Sequence, residues 1–350
     1  MNKNELIYSN NFASNSDLIY SQTVTEDYFY ENYKNNKNIE VISKTSNELF
    51  SAITFKIKKF TLEENQIIYC NTDFVENLFI QIKNIKFKNL KLITNQSDRP
   101  VTKKLFLKKP SCISKWYSIN VDFSDKDLIP IPLGLSNDIS SKNLNSEKFK
   151  SIDYSFFSEN KLNKLYINFN PNTNLKERGW IYEHFKSKEY VYIEQTNLDL
   201  EKYKKQLSKY RFVLCPWGNG YDSHRIWETL YSGSIPVIRN HTTFRYMKHL
   251  PVIVLDNFEN ITFERLEKEY RVLQEKEYNY EILKLPWWFK DLSKTIDSTK
   301  KLEETKYKPL IQNILVIKYK CNQNFKSQLK KVLYYLRRLK KLGKYVRKQY

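Results

Sequence analysis

Short apolar runs alternate with amphipathic stretches along most of the chain, a pattern typical of α/β proteins. The segment 66–70 predicts a buried strand, 73–85 predicts a helix with Phe74 on its apolar face, and 90–94 predicts a second strand. A strand, a helix and a strand within about 30 residues form a βαβ unit, which requires a parallel sheet. Residues 1–35 show no clear period and receive no prediction.

The alternation of strands and helices restarts after a polar stretch at 136–153, which predicts an interdomain linker or a long loop. It continues from 164 to 256, and helical patterns follow over 261–295, where Pro286 interrupts them. Two such runs indicate two Rossmann-like, doubly wound α/β domains. We therefore predict an N-terminal domain at 1–150, a C-terminal domain at 151–295 and a helical basic tail at 296–350.

Composition excludes several classes of protein. Of the 350 residues, 41% are hydrophobic and 15% aromatic, which is too apolar for a disordered chain. No apolar run approaches the ~18 residues that a membrane span needs, and the opening segment lacks the apolar core of a secretory signal. The four cysteines are widely spaced, which indicates neither a zinc site nor a disulfide framework. These features predict a cytoplasmic protein.

Basic residues are concentrated at the C-terminal end. The net charge is +20, and residues 326–350 contain ten Lys or Arg and no acidic residue. Apolar residues from Leu329 to Leu339 recur at spacings of three and four, which predicts an amphipathic helix with a basic face. Such a helix either lies on an anionic membrane surface or packs on the body of the protein. Because no RRM, KH or zinc-finger signature occurs, nucleic-acid binding is not expected.

Glycine is scarce, and its distribution points to one segment. Only six glycines occur, three of them between 218 and 233, and three of the four histidines lie in or just after this window. A strand at 211–215 leads into a glycine-containing turn, after which a helix begins. Open α/β sheets bind ligands at the carboxyl ends of their strands, so this turn lies on the binding edge. The turn residues predicted to contact the bound ligand are Gly218, Asn219, Gly220, Asp222 and Ser223.

Charged residues of the following helix indicate an anionic ligand. His224 and Arg225 lie in the first helical turn, where cations oppose the helix dipole unless an anion is bound. Glu228 shares their face and is placed to accept hydrogen bonds from ribose hydroxyls. A purely structural interpretation stays open, with an ordinary turn, an N-cap and a surface ion pair between Arg225 and Glu228.

The segment 215–238, CPWGNGYDSHRIWETLYSGSIPVI, resembles the donor-binding motif of exostosin-like glycosyltransferases and their relatives of the ribitol-phosphate xylosyltransferase type. The resemblance implies a GT-B fold, in which two Rossmann-like domains face a cleft and the C-terminal one holds a nucleotide sugar. It also implies that Arg225 contacts the diphosphate and Glu228 the ribose. Trp217 stands where related sequences often have arginine, so one expected cation is unaccounted for.

Two other segments supply candidate residues. At 168–178, after the first strand of the second domain, Lys176 and Arg178 could reach the phosphates, although the segment also fits a capped, solvated helix start. Asp73 and Asp98 each follow a strand of the first domain. Either is a candidate catalytic base for an acceptor hydroxyl, and either could instead be a helix cap or a loop carboxylate.

We expect no metal cofactor. The motif at 125–127 matches the Asp-x-Asp pattern with which other glycosyltransferases hold a metal, but three-residue matches often arise by chance. Arginine and a helix dipole can stabilise a diphosphate without a metal. The predicted function is transfer of a sugar from a nucleotide donor, expected to be UDP-linked, to a hydroxyl of a glycan or lipid-linked glycan at the cytoplasmic membrane face. The alternatives are a fucosyltransferase-like enzyme with a GDP donor, a non-catalytic nucleotide-sugar-binding module and a basic nucleic-acid-binding protein.

Overall fold

A computed structural model describes residues 5–47, 50–139, 143–194, 196, 198–290, 292 and 301–346. For 47, 50, 326, 327 and 330–346 it describes the backbone alone. Met1–Thr305 form one compact unit and Lys306–Tyr350 a second. The first unit contains two large sheets, and residue 150 lies in the connection between them. The domain boundaries at 150 and 295 stay a prediction.

The first sheet is mostly parallel. Its strands are β1 (Leu18–Val24), β2 (Ile39–Asn47), β3 (Phe50–Ile57), β5 (Ile67–Asn71), β6 (Leu90–Asn95), β7 (Ile113–Ser118) and β8 (Leu128–Pro130), whereas β4 (Thr61–Glu63) lies outside it. The order is β2-β3-β1-β5-β6-β7-β8, with β1 and β5 to β8 parallel and the β2–β3 hairpin antiparallel at one edge. All residues of β5 are buried, as expected for a central parallel strand. The predicted βαβ unit is confirmed.

The second sheet is entirely parallel. Its strands are β9 (Leu162–Ile167), β10 (Val191–Ile193), β11 (Tyr210–Cys215), β12 (Ile235–Arg239) and β13 (Ile253–Leu255), in the order β10-β9-β11-β12-β13. In this order the chain leaves β9 toward one side of the sheet and returns to the other, which creates a topological switch point between β9 and β11. A short strand β14 (Leu302–Glu304) pairs with β4.

Five of the eleven described α-helices begin at side-chain caps that the sequence supplies. The helices are α1 (Ser9–Ser14), α2 (Glu26–Asn32), α3 (Val75–Ile82), α4 (Lys103–Phe106), α5 (Leu175–Arg178), α6 (Ile181–Phe185), α7 (Leu200–Lys209), α8 (His224–Tyr231), α9 (Phe263–Gln274), α10 (Leu285–Phe289) and α11 (Pro309–Val346). Asn174 accepts a hydrogen bond from the Glu177 N–H, which confirms it as a cap. Pro286 lies in the first turn of α10. It therefore starts a helix, where its missing N–H is tolerated, and does not interrupt one as predicted.

One apolar cluster extends from the first sheet to the second. It includes Tyr69 and Ile93 of the first sheet together with Val213 of the second and Trp227 of α8. The polar stretch 136–153 contributes to the same cluster through Leu144, Phe149 and Ile152. Because both sheets bury side chains in one core, they belong to one compact unit.

The unassigned N-terminal segment contains α1, β1 and α2. Strand β1 escapes periodicity analysis because polar side chains are buried within it. Ser21 Oγ accepts the Asn71 N–H over 3.0 Å, and Gln22 Nε2 donates to Asn10 Oδ1 over 3.1 Å. These hydrogen bonds satisfy groups that would otherwise be costly to bury.

The predicted tail helix is confirmed in its backbone and is longer than expected. Helix α11 runs over Pro309–Val346, whereas residues 347–350 lie outside the described ranges. The apolar face predicted from Leu329 to Leu339 falls mostly on side chains that are not described. Across the described residues, no helix combines the length and apolar character needed to cross a bilayer.

Gly233 ends α8 with a positive φ of +67°, and a Cβ there would lie 2.7 Å from the carboxyl carbon of Asp153. We expect Gly233→Ala to lower the free energy of unfolding by about 1–3 kcal/mol, because both the left-handed backbone and the clash oppose a side chain. Ser232→Ala is the control, since Ser232 Oγ is buried without a hydrogen-bond partner among the described residues. Urea unfolding measures both; equal stability of the two variants would contradict the expectation.

Candidate functional site

The loops that follow β9 and β11 meet at the switch point of the second sheet. The first loop leads through Pro171–Thr173 into α5, and the second leads through the glycine-containing turn into α8. The two loops are in contact, because Asn174 Nδ2 donates to the Gly218 carbonyl oxygen over 2.7 Å. The structure thus brings together the two segments predicted to contact the phosphates. They meet at the edge where open α/β sheets bind ligands.

Arg178 is buried beneath the second loop and bonds to its backbone. Nε donates to the Trp217 carbonyl over 2.7 Å, and Nη2 donates to the Pro216 carbonyl over 2.9 Å. Burial, and then the neighbouring Arg225, lower the pKa of Arg178 to about 10. Because its donors are directed at carbonyl groups, Arg178 fixes the shape of the loop and leaves a positive charge under it.

Arg225 lies beside Arg178 without a matched partner. Its guanidinium carbon is 5.9 Å from the centroid of the Phe169 ring, and that of Arg178 is 5.3 Å from the same centroid. Among the described residues, the buried Arg225 Nε has no hydrogen-bond partner and no carboxylate lies within 4.0 Å of the guanidinium. A buried donor without a partner is costly, so Arg225 is suited to an added acceptor.

Glu228 is the carboxylate whose charge acts most strongly on Arg225. It is 6% exposed, and Tyr203 donates a hydrogen bond to its Oε2 over 3.0 Å. Burial raises the pKa of Glu228, while the charge of Arg225 opposes that rise. Glu177 also acts on Arg178, but it is paired with Arg239, so the switch point keeps a positive excess that a bound anion would offset.

The start of α8 offers further donors. Ser223 occupies the N-cap position without a capping hydrogen bond, and its Oγ is buried with no partner among the described residues. Its neighbour His224 is turned toward the first sheet, with Nδ1 2.8 Å from the Gly134 carbonyl oxygen. The first N–H groups of the helix therefore lack a side-chain cap, as at helix starts that bind anions.

Asp222 joins the two sheets. Its carboxylate, 3% exposed, accepts hydrogen bonds from the Leu133 N–H over 2.9 Å and from Trp227 Nε1 over 3.1 Å. Its own N–H donates to Asn120 Oδ1 over 3.0 Å. Gly220 packs against the same amide, since a Cβ there would lie 2.6 Å from Asn120 Nδ2. The geometry of Asp222 and Gly220 is thus accounted for by contacts between the sheets, and contact with a donor stays a prediction for both.

The other predicted donor contacts differ in burial. A Cβ on Gly218 would lie 3.3 Å from Arg178 Nη2, so this glycine allows the arginine to approach the loop closely. Asn219 and Lys176 are exposed at the edges of the two loops. The structure therefore brings Gly218 and Arg225 next to Arg178 and leaves Asn219 and Lys176 exposed at the edges of the loops.

The candidate bases lie on the first sheet. Asp73 follows β5, is half-buried and accepts a hydrogen bond from Ser97 Oγ over 2.9 Å. Asp98 follows β6 and is exposed. Both stand at the carboxyl edge of their sheet, the edge from which Asn120 reaches the start of α8. Their role as catalytic base stays a prediction.

The motif at 125–127 forms local structure. Asp125 Oδ1 accepts the Asp127 N–H over 2.8 Å, and Asp127 pairs with Lys115 Nζ over 2.8 Å. Within the described ranges, no group of three or more His, Cys, Asp or Glu residues is arranged to hold a metal ion. The absence of a metal cofactor stays a prediction.

A cation that sequence reasoning missed lies at the position occupied by Trp217. The Arg239 guanidinium, at the end of β12, stacks 4.5 Å from the Trp217 ring centroid and pairs with Glu177 Oε2 over 2.7 Å. Trp217 Nε1 and Glu177 Oε1 are buried without hydrogen-bond partners among the described residues. The available signal was a charged residue directly after a buried strand, the same signal that singled out Asp73.

The comparison with known families bears directly on this site. Residues 157–338 match the family model of the RXYLT1 C-terminal domain, a ribitol xylosyltransferase family. The chain belongs to this family. The match includes the second sheet and all of α8, so the resemblance to the ribitol-phosphate xylosyltransferase type is confirmed and the chain is glycosyltransferase-like. The narrower exostosin-like relationship stays a prediction. Among curated proteins, none matches the chain.

Asp222 should make stability depend on pH. Burial raises the pKa of its carboxyl to about 7, far above about 3.9 in an unfolded chain. Between about pH 4 and about pH 7 the folded chain therefore binds more protons, so this group's contribution to stability falls as pH rises. We expect Asp222→Asn to remove that contribution, so that its melting temperature relative to the unmodified protein increases across this range. If the melting temperatures of the two proteins changed in parallel from pH 5 to about pH 8, the expectation would be contradicted.

Proposed function

We propose that the protein is a glycosyltransferase that moves a sugar from a nucleoside diphosphate donor, UDP-linked, to a hydroxyl of a glycan. The observation that carries the proposal is the Arg225 guanidinium at the switch point, whose buried Nε has no hydrogen-bond partner among the described residues. Membership of a ribitol xylosyltransferase family supports the reaction class. The positive excess from Arg178 and Arg225 supports an anionic donor.

In the proposed reaction, the acceptor oxygen attacks the anomeric carbon while the bond from that carbon to the diphosphate oxygen breaks. The nucleoside diphosphate leaves with the electron pair, and Arg225 together with the N–H groups at the start of α8 stabilises its charge. Glu228, held by Tyr203 through Oε2, accepts a ribose hydroxyl with its other oxygen. Because Arg225 is cationic and the N–H groups at the start of α8 are hydrogen-bond donors, the proposal requires no metal.

The proposed arrangement is GT-B, with the donor on the second sheet and the acceptor toward the first. Contacts between the two sheets support it, since Asn120 and Gly134, which follow strands of the first sheet, both reach the start of α8. The acceptor's proton then passes to Asp73 or Asp98 at the facing carboxyl edge. We favour Asp73 of the two, because it is half-buried and held by a hydrogen bond from Ser97.

We also propose that the basic segment 326–350 holds the enzyme on an anionic membrane surface at the cytoplasmic face. Ten basic residues without an acid supply the attraction, about 1 kcal/mol for each residue near the lipid. This location would place the donor site near a lipid-linked glycan acceptor.

Substitution of Arg225 tests the donor assignment. We expect Arg225→Ala to lower turnover of a UDP-sugar by about 10²–10³-fold, because a donor aimed at the leaving group is lost. Arg225→Lys keeps the charge but not the planar fork and should recover part of the rate. Arg271→Ala, an exposed arginine of α9, is the matched control and should leave turnover unchanged.

Hydrolysis or transfer of the sugar donor measures turnover, and thermal unfolding of the same samples shows whether each variant is folded. A panel of UDP, GDP and CMP sugars is run on the same proteins. Stabilisation by GDP sugars alone would favour the fucosyltransferase-like alternative, and binding without turnover would favour a non-catalytic module. Unchanged turnover in a folded Arg225→Ala variant would remove the central assignment.

The two candidate bases are each other's control. We expect Asp73→Asn to lower transfer to the acceptor by about 10²–10⁴-fold, with donor binding intact, because an amide cannot take the hydroxyl proton. Asp98→Asn should retain transfer near the starting level, since its carboxylate is exposed. Steady-state transfer assays decide between them; the reverse ranking would assign the base to Asp98, and full activity in both would exclude the pair.

A further inference from the structure

A cavity apart from the proposed donor site lies in the first compact unit. It has a volume of about 440 Å³, which falls in the range of small-molecule sites. One wall comes from the first sheet, with Tyr117 of β7 and Ile129 of β8. The opposite wall comes from the segment after β12 and from α10, with Tyr246 and Trp288. No predicted donor residue lines it.

Helix α8 separates this cavity from the proposed donor site. Trp227 stacks near Tyr246, with ring centroids 6.3 Å apart and an interplanar angle of 28°. Trp227 is two positions from Arg225, which places the two side chains roughly 200° apart around the helix. The cavity and Arg225 therefore lie on opposite faces of α8. Ligand binding in the cavity therefore does not depend on the proposed transferase activity.

The aromatic wall of the cavity is fixed by its own contacts. Trp288 Nε1 donates to the Ile282 carbonyl over 3.0 Å. The Trp288 ring meets Tyr246 edge-on at 5.1 Å and Trp287 edge-on at 4.7 Å. Trp288 is buried, whereas Trp287 is half-exposed at the rim. A preformed apolar surface of this kind loses little conformational entropy on binding.

The polar groups of the cavity favour an anion. Arg245 and His249 are exposed at its edge, and none of its described lining residues is acidic. Arg245 donates through Nη2 to the Leu128 carbonyl over 2.6 Å and makes no ion pair with the described residues, so its other donors stay available. Tyr246 is 8% exposed, and its hydroxyl has no partner among the described residues. Burial raises the pKa of Tyr246, which keeps that hydroxyl protonated.

A neutral sugar fits this lining poorly. It carries no charge to match Arg245, and its hydroxyls would find no carboxylate acceptor in the described lining. The Asn279 Oδ1 atom already accepts the Glu281 N–H over 3.2 Å. We propose instead that the cavity binds a single-chain amphiphile with an anionic head group. The head group lies at Arg245 and His249, and the apolar chain lies along Ile282 and the Trp288 ring. The head group can be a carboxylate or a phosphate.

The test uses the full chain and soluble amphiphiles below their micelle concentrations. Dodecanoate and dodecyl phosphate distinguish the two head groups, dodecyl maltoside lacks the charge, and inorganic phosphate lacks the chain. Isothermal calorimetry gives stoichiometry and affinity. We expect one anionic amphiphile to bind per chain at least about tenfold more tightly than dodecyl maltoside, the difference that one charge-assisted hydrogen bond supplies.

Two rim variants localise the binding without disturbing the core. Arg245→Gln should weaken the anionic amphiphile about tenfold and leave dodecyl maltoside unchanged. Trp287→Ala should weaken both, and Arg271→Ala should weaken neither. Dodecyl maltoside binding as tightly as the anions, or equal losses in Arg245→Gln and Arg271→Ala, would overturn the proposal. So would absence of binding by both anionic amphiphiles in a folded protein. Loss of turnover in Arg225→Ala leaves all these outcomes unaffected.

Discussion

The arrangement of the first compact unit depends on the hydrogen bonds of Asp222. Its carboxylate accepts hydrogen bonds from the backbone that follows β8 and from the Trp227 indole of α8, and the N–H of Asp222 is bonded to Asn120 after β7. A carboxylate this deeply buried is stable only when its acceptors are satisfied, so the first sheet and α8 are fixed to one another. The direction in which α8 presents its other side chains follows from this attachment.

Two arginines at the switch point carry unequal tasks. Arg178 directs its donors at carbonyl groups and shapes the loop after β11, whereas the neighbouring Arg225 has a buried Nε with no partner in the part of the chain that the structure describes. The protein holds like charges together on one aromatic ring, Phe169, near Glu228 and near Glu177, which is already paired with Arg239. This arrangement is unfavourable in an empty site and becomes favourable when an anion is present, which is the physical basis of the proposed donor site.

Helix α8 also divides the unit into two chemically different environments. Its Arg225 face is polar and positive, whereas its Trp227 face packs on Tyr246, at the wall of an aromatic cavity. The helix thus lies between the two proposed ligand sites, and the opposite orientation of residues two positions apart keeps the sites separate. Ligand at one site therefore need not displace ligand at the other.

Local patterns in the sequence determined the parallel strands from β5 onward, the cap at Asn174, the helix end at Gly233 and the position of Arg225 at a strand-to-helix edge, because these features depend on neighbours within a few residues. Strand β1 was hidden because Ser21 is buried through hydrogen bonds to a strand 50 residues away. Long-range contacts also decided the placements of Asp222, Gly220 and Arg239, which the chain order does not bring near their partners. Only the tertiary structure determines which polar groups are buried together. That burial decides whether a carboxylate is held by contacts within the protein or is left to contact a ligand.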